Sequence, residues 1–152
     1  MKKTNSKMNE YKNLIDNEKK IYTILANTSA FIWEKFDNLN WAGFYVNEDN
    51  TLYLHAFQGK VACSVIPFNR GVCGHAATIQ KTVVVDDVNT FKDHIVCDSN
   101  SKSEVVIPVI VKNKLFAVLD IDAPVYKRFD TQTVKSLEEI VSILEHELEK
   151  LL

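Results

Sequence analysis

The sequence predicts an α+β fold: an antiparallel sheet of five to six strands with N- and C-terminal helices packed on one face. Three observations carry this. Both ends of the 152-residue chain repeat apolar residues at a helical period. The middle consists of short aromatic and β-branched runs separated by turn chemistry. No repeat, low-complexity tract or linker divides it. Helices flanking hairpin-linked strands pack as a helix layer on a sheet. The length suits one domain with a real core. Residues 1–152 are therefore read as a single domain: N-terminal helices over 5–36, sheet and site loops over 40–128, and a C-terminal helix over 131–151.

In chain order, Tyr11, Leu14, Ile15, Ile21, Ile24, Leu25, Phe31 and Ile32 keep close to a 3.6 period, which Asp16-Asn17 divides into two helices. "WAGFYV" (41–46) and "TLYLHAF" (51–57) flank "NEDN" and predict a hairpin. "ACSVIPF" reads as a short strand, "GVCGHAATIQ" as a short helix entered through a tight loop, and "TVVVDD" (82–87) as a buried strand. Residues 88–102 are polar and read as a functional loop. "EVVIPVIV" and "LFAVLDID" form a second hairpin around Lys112-Asn113-Lys114. Asp130 caps the last helix, whose stripe is Val134, Leu137, Ile140, Val141, Leu144, Leu148 and Leu151.

Composition narrows the function. A net charge of −2 gives no broad attraction for nucleic acid. No apolar run approaches the ~18 residues of a membrane span. The opening "MKKTNSKMNEYKN" lacks a signal peptide's apolar stretch, so a cytoplasmic location is expected. Thiols stay reduced there, and a disulfide would be transient and catalytic rather than structural.

The chemistry-bearing residues cluster. A three-residue loop at Lys112-Asn113-Lys114 would set Val111 opposite Leu115 and Glu104 opposite Asp122. Asp120 and Asp122 share a face, so three carboxylates would meet. At least one should then hold its proton near neutral pH and be able to donate it, while the remaining charge suits a ligand ammonium. The alternative is acids that end a strand and face water. The three cysteines, Cys63, Cys73 and Cys97, fall within 35 residues. Cys73 lies between Gly71 and Gly74, where a helix N-terminus would lower its pKa. Cys97 lies in the polar loop beside Asp98, three residues after His94. Buried cysteines acting as small hydrophobes are one alternative. A zinc site using His75 or His94 is another, although nine residues separate Cys63 from Cys73 and structural zinc prefers close pairs. No metal is expected. His55 and His146 carry little weight. Alternation places Trp41 and Tyr45 on one face, as core or as the wall of a small apolar pocket.

"NWAGFY", "FQGKVACSVIP", "RGVCGHA", "HIVCDSNSKSEVVIPV" and "AVLDIDAP" together resemble the free methionine-(R)-sulfoxide reductases, built on a single GAF domain. The resemblance runs from Trp41 to Phe129 and covers all three cysteines in order. It implies reduction of free L-methionine-(R)-sulfoxide to methionine, with Cys97 as nucleophile and Cys63 as resolving thiol. Cys73 is implied as a second resolving thiol or a substrate contact, and the order of Cys63 and Cys73 is left open. Glu104, Asp120 and Asp122 are implied as substrate-binding acids, with Glu104 and Asp122 also catalytic. Trp41 and Tyr45 are implied to line the methyl end of the pocket. No cofactor is bound on this reading. Thioredoxin is the implied reductant, with NADPH as donor through thioredoxin reductase. Partners are the free sulfoxide and thioredoxin, with neither nucleic acid nor membrane, and a homodimer is left open. Backbone N–H groups from Arg70 to Gly74 are expected to take the substrate carboxylate. His55-Ala56, Val65 and Ala117 depart from the family's usual residues. A non-catalytic GAF sensor, of small molecules or of redox state, and a peroxide-sensing thiol protein are the competing functions.

Overall fold

The computed structural model describes residues 2–93 and 100–152, with side chains from residue 6 onward. His94 and Cys97 lie outside the described residues. Two N-terminal helices, α1 (Lys2–Ile15) and α2 (Ile21–Lys35), lead into the hairpin of β1 (Trp41–Glu48) and β2 (Thr51–Gly59). Then come β3 (Val65–Pro67), α3 (Gly71–Ile79), β4 (Val83–Val85) and a 3₁₀ turn at Val88–Thr90. The hairpin of β5 (Ser103–Val111) and β6 (Lys114–Ala123) and the helix α4 (Thr131–Glu149) complete the chain. The six strands form one sheet in the order β3-β2-β1-β6-β5-β4, every neighbouring pair antiparallel. The expected fold class is borne out.

Local chemistry explains the boundaries. The N-terminal helical stretch breaks at Asn17, whose φ of 60° lies in the left-handed region that Asn tolerates. Asp49 and Asn50 (φ 51° and 63°) make the two-residue turn of the first hairpin, matching strand twist. Asp130 caps α4, its carboxylate accepting from the Thr133 N–H at 2.8 Å.

The sheet carries a core on each face. On one, α1, α2 and α4 bury Tyr11, Ile24, Leu25, Leu137, Ile140 and Leu144 against Ala42, Phe44, Val105, Ile107, Leu119 and Ile121. On the other, α3 lays Val72, Cys73, Ala76 and Ala77 over Trp41, Tyr45, Val106 and Val118. The terminal helices thus share one face, as expected, and the helix bearing Cys73 lies opposite.

Two expectations are corrected. The 82–87 run was expected to be a buried strand. It pairs only over 83–85 at the sheet edge, and Val84 is 42% exposed. An edge strand has a neighbour on one side only, so apolar composition alone did not secure burial. The second hairpin turns through two residues, Lys112 and Asn113 (φ 52° and 65°), so that Val111 faces Lys114 and Ile110 faces Leu115. A bulge between Val109 and Ile110 then shifts the register by one residue. The bulge compensates for the shorter turn, and Glu104 meets Asp122 after all.

Candidate active site

The site is a row of side chains on the α3 face of the sheet. Across β5, β6 and β1, Glu104 pairs with Asp122 and Asp122 with Trp41. In the next row of the same face, Val106 pairs with Asp120 and Asp120 with Gly43. Gly43 is required there: a Cβ would come within 2.3 Å of Phe57 Cβ on β2. The third row sets Val118 against Tyr45. Alternation along β1 and β6 thus places Trp41, Tyr45, Asp120 and Asp122 on one surface.

Helix α3 closes over this surface and delivers Cys73 in its first turn. Its approach depends on Gly74, where a Cβ would fall 2.6 Å from the Pro67 carbonyl oxygen. The Cys73 sulfur and carboxylate oxygens of Glu104 and Asp120 all lie within 4.8 Å of one another. Glu104, Asp120 and Cys73 are buried and Asp122 is half-buried.

Electrostatics follow from that crowding. Burial pushes the Glu104 carboxyl well above the usual carboxylate range, and the charge of Asp122 pushes it further. Glu104 is hydrogen-bonded to both Asp120 and Asp122. The direction of this shift agrees with the expectation that one carboxyl of the cluster resists ionisation, and it falls on Glu104. Cys73 departs from expectation. Its position at the start of α3 predicted a lowered pKa, but complete burial beside Asp120, Glu104 and Asp122 raises it well above the ordinary thiol value. Burial first, and the neighbouring acids after it, outweigh a half-charge of helix dipole. Cys73 is a free thiol hydrogen-bonded to Asp120. One sulfur and two carboxylates at this spacing could also bridge a divalent cation, though only after giving up the protons these hydrogen bonds share.

Cys63 lies half-buried between β2 and β3 and is disulfide-bonded. Trp41 and Tyr45 are nearly fully buried, with ring centres 5.9 Å apart. Burial and the nearby acids drive the Tyr45 hydroxyl pKa upward, so it stays a donor. The expected anion site at the start of α3 is taken by the chain itself. Asp93 accepts both from Arg70 Nε (3.1 Å) and from the Gly71 N–H (3.3 Å). His75 sits on the exposed side of α3 against Phe91, away from the acids. Sequence reasoning missed Asn40, whose side chain donates to Ser101 Oγ at 3.0 Å and whose N–H donates to the Asp122 carbonyl. Only its place one residue before Trp41 could have pointed to it.

Residues 21–148 match the GAF domain family. The free methionine-R-sulfoxide reductase of Escherichia coli (strain K12) is 45% identical over 136 residues, covering 90% of this chain and 82% of that protein. The chain belongs to the GAF-domain free methionine-(R)-sulfoxide reductases. Solved members of this reductase family superpose closely. The fRMsr of Staphylococcus aureus in complex with substrate gives a TM-score of 0.91 at 45% identity, covering 95% of each chain. The free methionine-R-sulfoxide reductase of Neisseria meningitidis, also in complex with its substrate, gives 0.92 at 37% identity, covering 97% of this chain and 89% of that one.

Proposed function

We propose that this protein is an oxidoreductase that reduces free L-methionine-(R)-sulfoxide to L-methionine, with Cys97 as nucleophile and Cys63 as resolving thiol. The observation that carries it is the Glu104–Asp120–Asp122 cluster, two of its acids buried and the third half-buried, walled by Trp41 and Tyr45 on the face that also bears Cys63. The Cys97 thiolate attacks the sulfoxide sulfur, the oxygen passes to sulfur 97 as a sulfenic acid, and methionine leaves with two electrons gained. Glu104, whose carboxyl burial and the Asp122 charge push well above the usual range, supplies a proton to the sulfoxide oxygen as the S–O bond weakens. Asp120 and Asp122 pair the substrate ammonium, which a peptide-bound residue lacks; that would select the free amino acid.

The Cys63 thiol then attacks the sulfenic sulfur. A disulfide forms, and the oxygen leaves as water. Cys73, held as a protonated donor to Asp120, organises the acids rather than exchanging sulfur. Thioredoxin returns two electrons and two protons, itself becoming the disulfide, and NADPH restores it through thioredoxin reductase. The cycle needs no bound cofactor. Reducing conditions of this kind suit a cytoplasmic enzyme, and among the described residues no helix is long and apolar enough to cross a membrane.

The test is NADPH consumption with thioredoxin, thioredoxin reductase and L-methionine-(R)-sulfoxide. Turnover is expected with the free (R) isomer and is expected to vanish in Cys97→Ser. Activity that survives this substitution, or equal rates on the (S) isomer or on peptide-bound sulfoxide, would refute the assignment.

A further inference from the structure

The face that bears the acids also bears an aromatic tier fastened to the loop before Cys63. Phe57 and Trp41 stack with ring centres 5.2 Å apart and planes at 16°, and Trp41 continues onto Tyr45 at 5.9 Å and 25°. Both polar handles of this tier point at the backbone of one short segment. The Trp41 indole N–H donates to the Lys60 carbonyl at 3.0 Å, and the Tyr45 hydroxyl donates to the Cys63 carbonyl at 2.9 Å. The chain leaves β2 at Gly59 (φ 129°), and the Leu54 N–H holds Ser64 on the far side of the segment. An apolar wall needs no donors, and phenylalanine would serve it. Two buried donors aimed at carbonyls 60 and 63 mark a different task.

We propose that Trp41 and Tyr45 are positioning residues for the resolving thiol, holding residues 60–63 so that Cys63 stands ready to form its disulfide. The kinetic consequence rests on the proposed sulfoxide reduction. In that step Cys63 sulfur bonds to the sulfenic sulfur, the S–O bond breaks, and the oxygen takes up protons and leaves as water. Its rate, and the stability of the disulfide, both scale with how often the loop presents its sulfur.

The experiment equilibrates the Cys63 disulfide of wild type, Tyr45→Phe and Trp41→Phe in dithiothreitol redox buffers. Each variant keeps an aromatic ring and loses one donor. Each is expected to shift the balance toward the dithiol by about fivefold, the worth of one neutral hydrogen bond, or about 20 mV for a two-electron couple. In single turnover, Tyr45→Phe should also lengthen the life of the sulfenic acid trapped by dimedone. Redox constants equal to wild type would overturn the proposal. So would a raised KM with disulfide formation at the wild-type rate, which would assign the hydroxyl to the substrate pocket. A wild-type protein inert toward sulfoxide would remove the proposed activity, and the buffer equilibrium would still decide this inference.

Discussion

At Glu104 burial and charge oppose each other most directly. Its carboxyl, on the second residue of β5, lies inside the protein, faces Asp122 across the ladder, and is hydrogen-bonded to Asp120 and Asp122. Desolvation and the Asp122 charge raise its folded-state pKa above the unfolded value of about 4.3. The stability this group contributes is therefore complete below the unfolded pKa and is lost as pH rises through the folded pKa. Glu104→Gln never ionises and escapes that loss. It should melt above wild type at about pH 8, with the gap closing toward about pH 4, where the wild-type carboxyl is protonated in both states. The same substitution removes the proton donor, and turnover should fall by ~10²-fold or more. Thermal melts across pH and the coupled assay read the two effects separately. A variant that melts lower in alkali and turns over at the wild-type rate would show that no proton is held at this position.

The element that brings Glu104 to Asp122 is the β5–β6 hairpin, and its register depends on one bulge. Where the ladder slips, the Ile110 N–H donates to the Glu145 carboxylate of α4 at 2.7 Å. A helix side chain thus satisfies a donor that the displaced strand partner does not. Glu145→Ala should cost about 1 kcal/mol in chemical denaturation, the net worth of a part-buried hydrogen bond. Glu145→Gln retains an acceptor oxygen and should recover most of it. Equal stability in all three would mean that the bulge does not depend on α4. This hairpin also shows what the sequence could reveal. Alternation in "LDID" was enough to put Asp120 and Asp122 on one face, because a strand's side-chain period is fixed, while bringing Glu104 to them depended on the register of the hairpin. The turn was assigned one residue too many and the bulge was invisible, and the two errors cancelled. The contacts that hold the site lie far apart in the chain: Glu145 with Ile110, Tyr45 with Cys63, Trp41 with Lys60, Asp93 with Arg70. No local propensity or period encodes such pairs. The raised pKa of Cys73 was hidden for the same reason, since its carboxylate neighbours come from other strands.

On the scale of the whole molecule, the sheet divides labour between its faces. Along β6, Leu119 and Ile121 point into the helix-covered core, while Asp120 and Asp122 point into the site. The helix side supplies most of the large fully buried residues and hence most of the hydrophobic stabilisation. The α3 side carries carboxylates whose burial opposes folding. Such a partition lets one face carry unfavourable polar burial while the other holds the fold together. Two adjacent residues test it. Ile121→Ala removes a side chain with no exposure and should cost about 2–5 kcal/mol in unfolding free energy. At a temperature where the variant stays folded, turnover should remain near wild type, because the Ile121 side chain packs in the opposite core. Asp122→Asn, one residue on, should show the opposite. It removes a half-buried charge while its amide oxygen can still accept from Glu104, so its unfolding free energy should equal or exceed that of wild type, while turnover drops by ~10²-fold. Denaturant titration and the coupled assay on the same two proteins give the answer. If the folded Ile121→Ala protein loses turnover as steeply as Asp122→Asn, the two faces are coupled through the strand and the sheet is not a partition.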